Sequence, residues 1–371
     1  MQQPIRVLQL FTIMNLGGAE TNVMNYYRKL DASKIQFDFA VHRQEIGAYE
    51  SEISILGGKI HRFIPLNPMK LKAYIKQIEL FFDENNYDII HGQCSELGYY
   101  FYKEAHKRKV PVIIAHGHNS NPKLDIKSPF RWFWKKRMMQ YVNEYFTCGY
   151  EASIWLFGKK NANKAFTMTN AIDSSLFAFN VEKAAKMKLE LQTQNAINII
   201  HVGRFNEQKN HDFLIDIFNE VLKLEPNCKL FLVGDGELKS QIQNKVTKLE
   251  INDKVVFLGL RSNVNEILQA MDVFLFPSFF EGLPVSLVEA QASGTQCVIS
   301  NGIPTEAILI SDNVTVISLK ESALSWAKKI VTLNIQSKKD VSQLIIDKGY
   351  DINKNVTILE NKYIQLLSKH Q

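Results

Sequence analysis

The sequence predicts two α/β domains in tandem, each built on a parallel β-sheet with helices on its faces. Two series of short apolar strands, separated by amphipathic helices, predict this fold because strands that alternate with helices form parallel sheets. The first series begins at Ile5–Phe11 and the second restarts at Ile197–Val202. A length of 371 residues also favours two domains over a single core.

The elements of the first domain follow one another at short intervals. A helix is predicted at residues 19–30, directly after the first strand. Runs of apolar residues predict four further strands, at 37–41, 88–91, 112–116 and 145–148. Turn-forming residues at 170–179 predict a linker. The first domain is therefore predicted to span residues 1–175.

The second domain repeats this alternation and is predicted to span residues 176–352. Its strands are predicted at 197–202, 229–233, 255–258, 272–276 and 296–300, with helices at 211–224, 238–249, 264–271 and from Pro284 onward. Parallel α/β domains bind ligands at the carboxyl ends of their strands. We therefore expect the binding site in a cleft between two such domains.

The composition is that of a globular protein in a reducing compartment. Apolar residues make up 46% of the chain and charged residues 22%, and no stretch approaches the roughly 20 apolar residues of a membrane span. The four cysteines lie far apart without a C-x-x-C pair, which argues against a disulfide framework or a structural zinc site. We expect a cytoplasmic protein, or one peripheral on the inner face of the cytoplasmic membrane.

The net positive charge lies in the first domain: residues 1–175 hold 23 Lys and Arg against 16 Asp and Glu, whereas the remainder of the chain holds 21 against 22. Residues 128–139 mix these cations with aromatic side chains, a composition that suits a membrane interface. An amphipathic helix whose aromatics fill the core would have the same composition. Because no nucleic-acid-binding motif is present, an anionic membrane or a phosphorylated acceptor is the expected partner.

Gly17 and Gly18 directly follow the first predicted strand and open a helix. Glycines let the backbone approach a bulky ligand, and the free N–H groups at a helix N-terminus favour an anion. A tight strand-to-helix turn would use the same residues. The spacing differs from G-x-G-x-x-G, which argues against a dehydrogenase.

Arg204 and Lys209 lie in the loop after the first strand of the second domain, behind Gly203. Two cations that converge on a diphosphate form charge-assisted hydrogen bonds with it. Two solvated surface cations would be the structural alternative, and the position after a strand favours binding. By contrast, Gly234 and Gly236 follow the next strand and predict only a sharp turn.

Glu281 and Glu289 lie in one segment that joins the strand at 272–276 to the following helix. Glu281 is in the loop and Glu289 is about a turn into the helix. Carboxylates accept hydrogen bonds from vicinal hydroxyls, which sugars and ribose both offer. The N–H groups of Gly282 and Leu283 at the helix start can hold a phosphate. One short segment could therefore contact sugar, phosphate and ribose.

His116 closes the strand at 112–115 and is followed by Gly117, His118 and Asn119. Its position after a strand makes it a candidate site residue, although a lone histidine is commonly structural. His118 is the rival candidate. The pair does not predict a metal site, because no carboxylate or cysteine accompanies it at usable spacing.

Taken together, these motifs resemble those of the retaining glycosyltransferases of glycosyltransferase family four, which include many bacterial capsule and exopolysaccharide enzymes. The resemblance spans nearly the whole chain and implies the GT-B fold, in which two Rossmann-like domains face each other across a cleft. It also implies that a C-terminal helix at 353–371 packs back on the first domain. The motifs that carry it are Gly17-Gly18-Ala19-Glu20, Asn170-Ala171-Ile172-Asp173, Arg204 with Lys209, and Glu281-x7-Glu289.

The resemblance implies a role for each motif of the second domain. Arg204 and Lys209 would bind the donor diphosphate and stabilise the leaving group. Glu281 would hold hydroxyls of the donor sugar and Glu289 the ribose, while the stretch from Leu258 would border the base.

In the first domain the resemblance implies that His116 lies beside the transferred sugar and Gly18 near its phosphate. The residues after the histidine differ from the acidic ones common in the family, so the choice between His116 and His118 stays open at this point.

The resemblance implies transfer of a hexose or N-acetylhexosamine from a nucleoside-diphosphate sugar to a glycan or lipid-linked acceptor, with retention and without a cofactor or an obligatory metal. UDP is the first expectation for the nucleotide and GDP the alternative. A nucleotide-sugar epimerase on the same scaffold and a non-catalytic partner subunit are the remaining alternatives. The intact pairs of cations and carboxylates argue against the partner subunit.

Overall fold

The computed structural model describes residues 3–118, 128–333, 335 and 338–370, with the side chains of 128–130 left out. The chain forms two α/β units, one comprising Met1–Ala171 with Ile352–Gln371 and the other Ile172–Asp351. The division falls within the turn-rich linker segment, four residues before the predicted end of the first domain at 175. Two parallel-sheet domains, as predicted, are confirmed.

The first unit is built on a seven-stranded parallel sheet with the order β3-β2-β1-β4-β5-β6-β7. Its strands are β1 (Ile5–Phe11), β2 (Ile35–Val41), β3 (Ile60–Arg62), β4 (Ile89–Gly92), β5 (Val112–Gly117), β6 (Glu144–Thr147) and β7 (Phe166–Thr167). Its first seven helices are α1 (Gly18–Tyr27), α2 (Glu50–Ile55), α3 (Leu71–Glu84), α4 (Tyr99–Lys107), α5 (Ser128–Met138), α6 (Tyr150–Phe157) and α7 (Lys159–Ala162).

The second unit is built on a six-stranded parallel sheet with the order β10-β9-β8-β11-β12-β13. Its strands are β8 (Ile197–Val202), β9 (Cys228–Val233), β10 (Val255–Gly259), β11 (Val273–Phe276), β12 (Gln296–Ser300) and β13 (Val314–Ile317). Its helices are α8 (Ser174–Phe177), α9 (Val181–Glu190), α10 (His211–Leu224), α11 (Lys239–Lys248), α12 (Val264–Gln269), α13 (Val285–Ala292), α14 (Ala323–Val331) and α15 (Ser342–Asp347).

The last helix, α16 (Ile352–His370), returns to the first unit. Val356, Leu359 and Tyr363 from this helix are buried in the same core as β1, β2 and β5. The helix is amphipathic, and burying its apolar face removes that surface from water, which is the main stabilising term for a helix of this kind.

Central strands of both sheets are buried on both faces, which explains why they read as continuous apolar runs. Every residue of β2 is buried, including Asp38. This carboxylate is paired with Arg6 and accepts a hydrogen bond from the Tyr87 hydroxyl at 2.9 Å. The buried charge is therefore compensated, as burial in a core requires.

Three edge strands were not predicted. β3 and β7 have only three and two residues, and β13 has exposed or half-buried positions in all but its last residue. Short, half-buried strands carry little apolar periodicity, so pairing with a neighbouring strand, rather than local sequence, defines them.

Candidate functional site

The second unit has a topological switch point between β8 and β11, where successive strands are added on opposite sides of β8. Parallel sheets open a crevice at the carboxyl ends of the two strands that flank such a point. The loop after β8 carries Arg204 and Lys209, and the loop after β11 carries Glu281. The strand order therefore brings these two predicted loops together.

Lys209 and Glu281 connect the two loops at this switch point. The Lys209 ammonium donates a hydrogen bond to Glu281 Oε1 at 2.8 Å, and its nitrogen lies 4.5 Å from the centre of the Phe276 ring. The Gln208 amide donates to Glu281 Oε2 at 3.1 Å. Both charged side chains are largely buried, with 15% and 7% of their surface exposed. The pair is thus held in one geometry.

The backbone around Lys209 is fixed by contacts with the loop after β11. The Phe279 N–H donates to the Gln208 carbonyl at 2.9 Å, and the Asn210 amide donates to the Pro277 carbonyl at 3.1 Å. Asn206 caps the short 3-10 helix Glu207–Lys209 by accepting from the Lys209 N–H at 3.2 Å. These bonds hold the two loops as one structural unit.

Arg204 differs sharply from Lys209. Its side chain is 70% exposed, and its guanidinium lies 3.1 Å from the carboxylate of Glu237, whose side chain is 57% exposed. An exposed pair of this kind holds the side chain only weakly. Arg204 can therefore swing towards a ligand, whereas Lys209 is already in place.

Gly234 and Gly236 have the turn role predicted for them. A Cβ on Gly234 would lie 2.0 Å from the Gly203 carbonyl oxygen, and one on Gly236 would lie 2.5 Å from the Phe205 carbonyl oxygen. Both also have positive φ angles, +140° and +156°. Only glycine lets the loop after β9 lie so close to the loop that carries Arg204.

Glu289 lies in the second turn of α13. Within the described residues its carboxylate has no hydrogen-bonding or ion-pairing partner, and burial raises its pKa to about 8. A carboxyl group without a partner in a partly buried place is available to a ligand. The other predicted contacts of this unit are half-buried or buried: Leu258, Gly282 and Leu283.

Two buried histidines, His201 and His211, precede and follow the loop that carries Arg204 and Lys209, and they were not predicted. The His201 Nδ1–H donates to the Leu275 carbonyl at 2.9 Å, while the His211 ring stacks on Phe205 at 4.1 Å. Neither nitrogen of His211 has a partner in the described part of the chain. Burial and the nearby Lys209 lower the pKa of His211 to about 3. Their positions at the end of β8 and the start of α10 were the available signal.

In the first unit the corresponding switch point lies between β1 and β4. Gly17 and Gly18 follow β1, and α1 begins at Gly18 without a side-chain cap. A Cβ on Gly18 would meet no atom within 4 Å, whereas one on Gly17 would lie 2.3 Å from the Glu20 carboxylate. Gly18 therefore borders open space, whereas a side chain at Gly17 would require the flexible Glu20 carboxylate to move.

His116 lies inside β5 rather than after it, which corrects the predicted strand end. It pairs with Phe146 of β6 and its side chain is completely buried. His118 follows the strand, is partly exposed and stacks on His116 with 4.1 Å between ring centres. Of the two rings, His118 is the more accessible to solvent. Asn119 lies outside the described residues.

The tautomer of His118 follows from its partner. His118 Nε2 lies 2.6 Å from Gln93 Oε1, a carbonyl oxygen that can only accept. Burial lowers the pKa of His118 to about 4, so the ring is neutral near pH 7. Nε2 therefore carries the hydrogen and Nδ1 is the acceptor.

The basic–aromatic segment forms α5, and its aromatic side chains divide between core and surface. Trp134 packs against the core of the first unit, while Trp132 and Phe133 are exposed. Lys136 lies over the Trp132 ring and Arg137 over the Phe133 ring, at 5.5 and 5.1 Å. Among the described residues no helix is long and apolar enough to cross a membrane.

Two parallel-sheet units, each with candidate ligand-binding loops at its switch point, are the architecture of the GT-B class. Comparisons with known proteins support this assignment. Residues 16–156 match the family model "Glycosyltransferase Family 4", and residues 183–344 match "Glycosyl transferases group 1". The structure of Anabaena Alr3699/HepE with UDP and glucose shares the fold with a TM-score of 0.81. It is 16% identical and the match covers 97% of this chain and 100% of that one.

Relatives with named activities extend over the same length. A Bacillus subtilis protein with the name "Putative glycosyltransferase EpsF" is 32% identical over 96% of both chains. The Staphylococcus aureus capsular polysaccharide biosynthesis glycosyltransferase CapH is 26% identical over 97% of this chain and 99% of its own. The chain therefore belongs to glycosyltransferase family four and is a GT-B glycosyltransferase.

Proposed function

We propose that this glycosyltransferase moves a sugar from a UDP-sugar onto a glycan or lipid-linked acceptor of a bacterial surface polysaccharide, with retention of anomeric configuration. The relatives support the acceptor class. An Escherichia coli relative, 28% identical over 80% of both chains, is named as a galactosyltransferase that takes UDP-Gal and a GlcNAc-diphosphoundecaprenol acceptor.

The Lys209–Glu281 pair at the switch point of the second unit is the observation that carries this proposal. A fixed ammonium beside a fixed carboxylate offers a binding group for a phosphate oxygen next to one for sugar hydroxyls. A nucleoside-diphosphate sugar presents these two chemistries in adjacent positions. Arg204 would add a second, mobile cation to the diphosphate.

In the reaction the acceptor hydroxyl attacks the anomeric carbon from the face that the diphosphate leaves. The bond from this carbon to the diphosphate oxygen breaks as the bond to the acceptor oxygen forms, and the proton of the acceptor hydroxyl passes to the departing diphosphate oxygen on the same face. Negative charge develops on the departing diphosphate, where the preorganised ammonium of Lys209 and the mobile guanidinium of Arg204 stabilise it. Glu281 and Glu289 orient the sugar and the ribose, which lowers the entropic part of the barrier.

In other enzymes with a diphosphate leaving group, a divalent metal ion neutralises the charge of that group. Here Lys209 and Arg204 would supply the positive charge, so the proposed reaction needs no metal. The activity is expected to survive excess EDTA. A loss of transfer in EDTA that Mg²⁺ or Mn²⁺ restores would contradict this part of the proposal.

We further propose that α5 brings the first unit to an anionic membrane, where a lipid-linked acceptor resides. Exposed Trp132 and Phe133 next to Lys136 and Arg137 combine the two features that interfacial helices use, aromatic insertion and attraction to anionic headgroups.

A donor screen tests the central proposal. Binding to the native state raises the melting temperature in proportion to the logarithm of ligand concentration, so UDP and UDP-sugars are expected to stabilise the chain more than GDP or ADP compounds. The stabilising sugar is then supplied with a polyprenyl-diphosphate sugar, and NMR of the product reports the anomeric configuration. An inverted product would overturn retention, and stabilisation by GDP alone would overturn the choice of nucleotide.

A further inference from the structure

Three buried aromatic side chains form a hydrogen-bonded series from the C-terminal helix to the end of β5. The Tyr363 hydroxyl of α16 lies 2.7 Å from His91 Nδ1, and His91 Nε2 lies 3.0 Å from His116 Nδ1. All three side chains are completely buried. The last atom of the series, His116 Nε2, is buried and has no partner among the described residues.

The direction of this series follows from its end groups. Burial lowers the pKa of both histidines well below the usual value, so each ring is neutral, with one donor and one acceptor nitrogen. The Gln9 side chain also hydrogen-bonds the Tyr363 hydroxyl. Gln9 Oε1 already accepts from the Gln93 amide at 2.8 Å, so the Gln9 amide nitrogen is the group that faces the Tyr363 oxygen as a donor. If His91 also donated to this oxygen, the buried phenol proton would face only donors, whereas donation by Tyr363 to His91 Nδ1 satisfies every group within the series at a lower cost in free energy.

Donation by Tyr363 determines each hydrogen that follows. His91 Nδ1 accepts, so His91 Nε2 carries the hydrogen and donates to His116 Nδ1. His116 Nε2 must then carry the hydrogen of its own ring. His116 Nε2, at the end of the series, is therefore a donor without an acceptor among the described residues. Its N–H can donate to the oxygen of a hydroxyl.

We propose that Tyr363 and His91 are positioning residues that set the tautomer of His116, so that His116 Nε2 is a hydrogen-bond donor for a hydroxyl of a glycan substrate bound at the first unit. The inference rests on the proposed function for the identity of that ligand. It gives the returning helix α16 a role in the chemistry of the site as well as in the core of the first unit.

Histidine tautomers of the full chain test this directly. In ¹⁵N-histidine-labelled protein without ligand, long-range ¹H–¹⁵N spectra are expected to show His116 with its hydrogen on Nε2, assigned by loss of the signals in His116→Gln. Tyr363→Phe is expected to abolish this single tautomer. The control is Tyr26→Phe, which removes a buried hydroxyl that donates to the Thr169 carbonyl at 2.9 Å in the same unit. A hydrogen on Nδ1 of His116, or an unchanged tautomer in Tyr363→Phe, would overturn the proposal.

A second pair of variants separates positioning from folding. In His91→Gln the amide nitrogen can still donate to His116 Nδ1, so this variant is expected to keep the tautomer and most of the activity. His91→Leu is expected to lose both, with kcat/KM reduced about 10-fold, the effect of one hydrogen bond. Equal activity in the two variants would contradict the proposal. A correct tautomer without any sugar transfer in the wild type would instead contradict the proposed function.

Discussion

The Lys209 ammonium lies 2.8 Å from Glu281 Oε1 in the second unit, and the two charges neutralise each other. The proposed sugar donor would bind to both of these groups. Binding a diphosphate must therefore compete with Glu281 for the Lys209 ammonium. Glu281→Gln removes that competition, so we expect it to bind UDP about five-fold more tightly by calorimetry, a gain of about 1 kcal/mol. Turnover should fall, because the hydroxyl-binding carboxylate is lost.

Lys209→Met should act in the opposite direction and weaken UDP binding about ten-fold. The matched control is Lys223→Met, which removes an ammonium paired with Glu220 on the surface of α10 and should leave UDP binding unchanged. Weaker UDP binding in Glu281→Gln would show that the carboxylate assists the nucleotide instead of competing with it.

Arg204→Ala is expected to lower turnover by about 10²-fold or more, the scale of losing one charge contact with the leaving group in a transition state. Its melting temperature should stay within about 1 °C of the wild type, since an exposed ion pair contributes little to stability. Steady-state kinetics and calorimetry check the two expectations. Glu237→Ala, which removes the surface partner of Arg204, serves as the control and should retain activity. Near-normal turnover in both Arg204→Ala and Lys209→Ala would refute the leaving-group role.

Glu289 should make the chain less stable as pH rises. Burial raises the pKa of this carboxyl to about 8 from its ordinary value of 4.5. Between these values the folded state keeps a proton that the unfolded state has lost, so the free energy of unfolding decreases with pH across this window. Glu289→Gln should remove this slope and exceed the wild type in melting temperature at pH 9, with no difference at pH 4.

The exposed Glu266→Gln is the control for this change and should leave the pH profile of the melting temperature unchanged. Parallel melting curves of Glu289→Gln and the wild type from pH 5 to 9 would mean that Glu289 ionises normally in the folded state.

His211→Phe should keep or increase stability. Both ring nitrogens of His211 are buried without partners in the described residues, and the ring already stacks on Phe205. An apolar ring of similar shape removes two unsatisfied polar groups while it keeps the packing. His211→Ala is the matched comparison and should lose about 2–4 kcal/mol in urea unfolding, because it leaves a cavity. A His211→Phe variant as unstable as His211→Ala would indicate that the imidazole nitrogens have a partner.

Replacing Trp132 and Phe133 by alanine should reduce binding to anionic membranes. Vesicles of phosphatidylglycerol are expected to sediment the wild type, and the double variant should bind at least ten-fold more weakly because aromatic insertion is lost. Leu189→Ala on the second unit is the control, since Leu189 is as exposed as Trp132, at 64% and 65%. Equal binding to neutral phosphatidylcholine vesicles would contradict attraction through Lys136 and Arg137.

Much of the fold could be predicted because its signals are local. Apolar runs such as Ile197–Val202 and the amphipathic pattern of His211–Leu224 depend only on neighbouring residues, and both elements have the predicted bounds. Edge strands such as Ile60–Arg62 escaped prediction because partner strands, rather than their own pattern, hold them in place. Candidate loops were found for the same reason, since each follows a well-marked strand.

The sequence alone determined the fold class, the order of the elements and the loops that carry Arg204, Lys209, Glu281 and Glu289. Tertiary structure decided which of these side chains meet. Lys209 and Glu281 are 72 positions apart, and Tyr363 and His91 are 272 apart. Strand order and the return of the last helix create these contacts through long-range packing. Neither contact could therefore be predicted from the periodicity of the neighbouring residues.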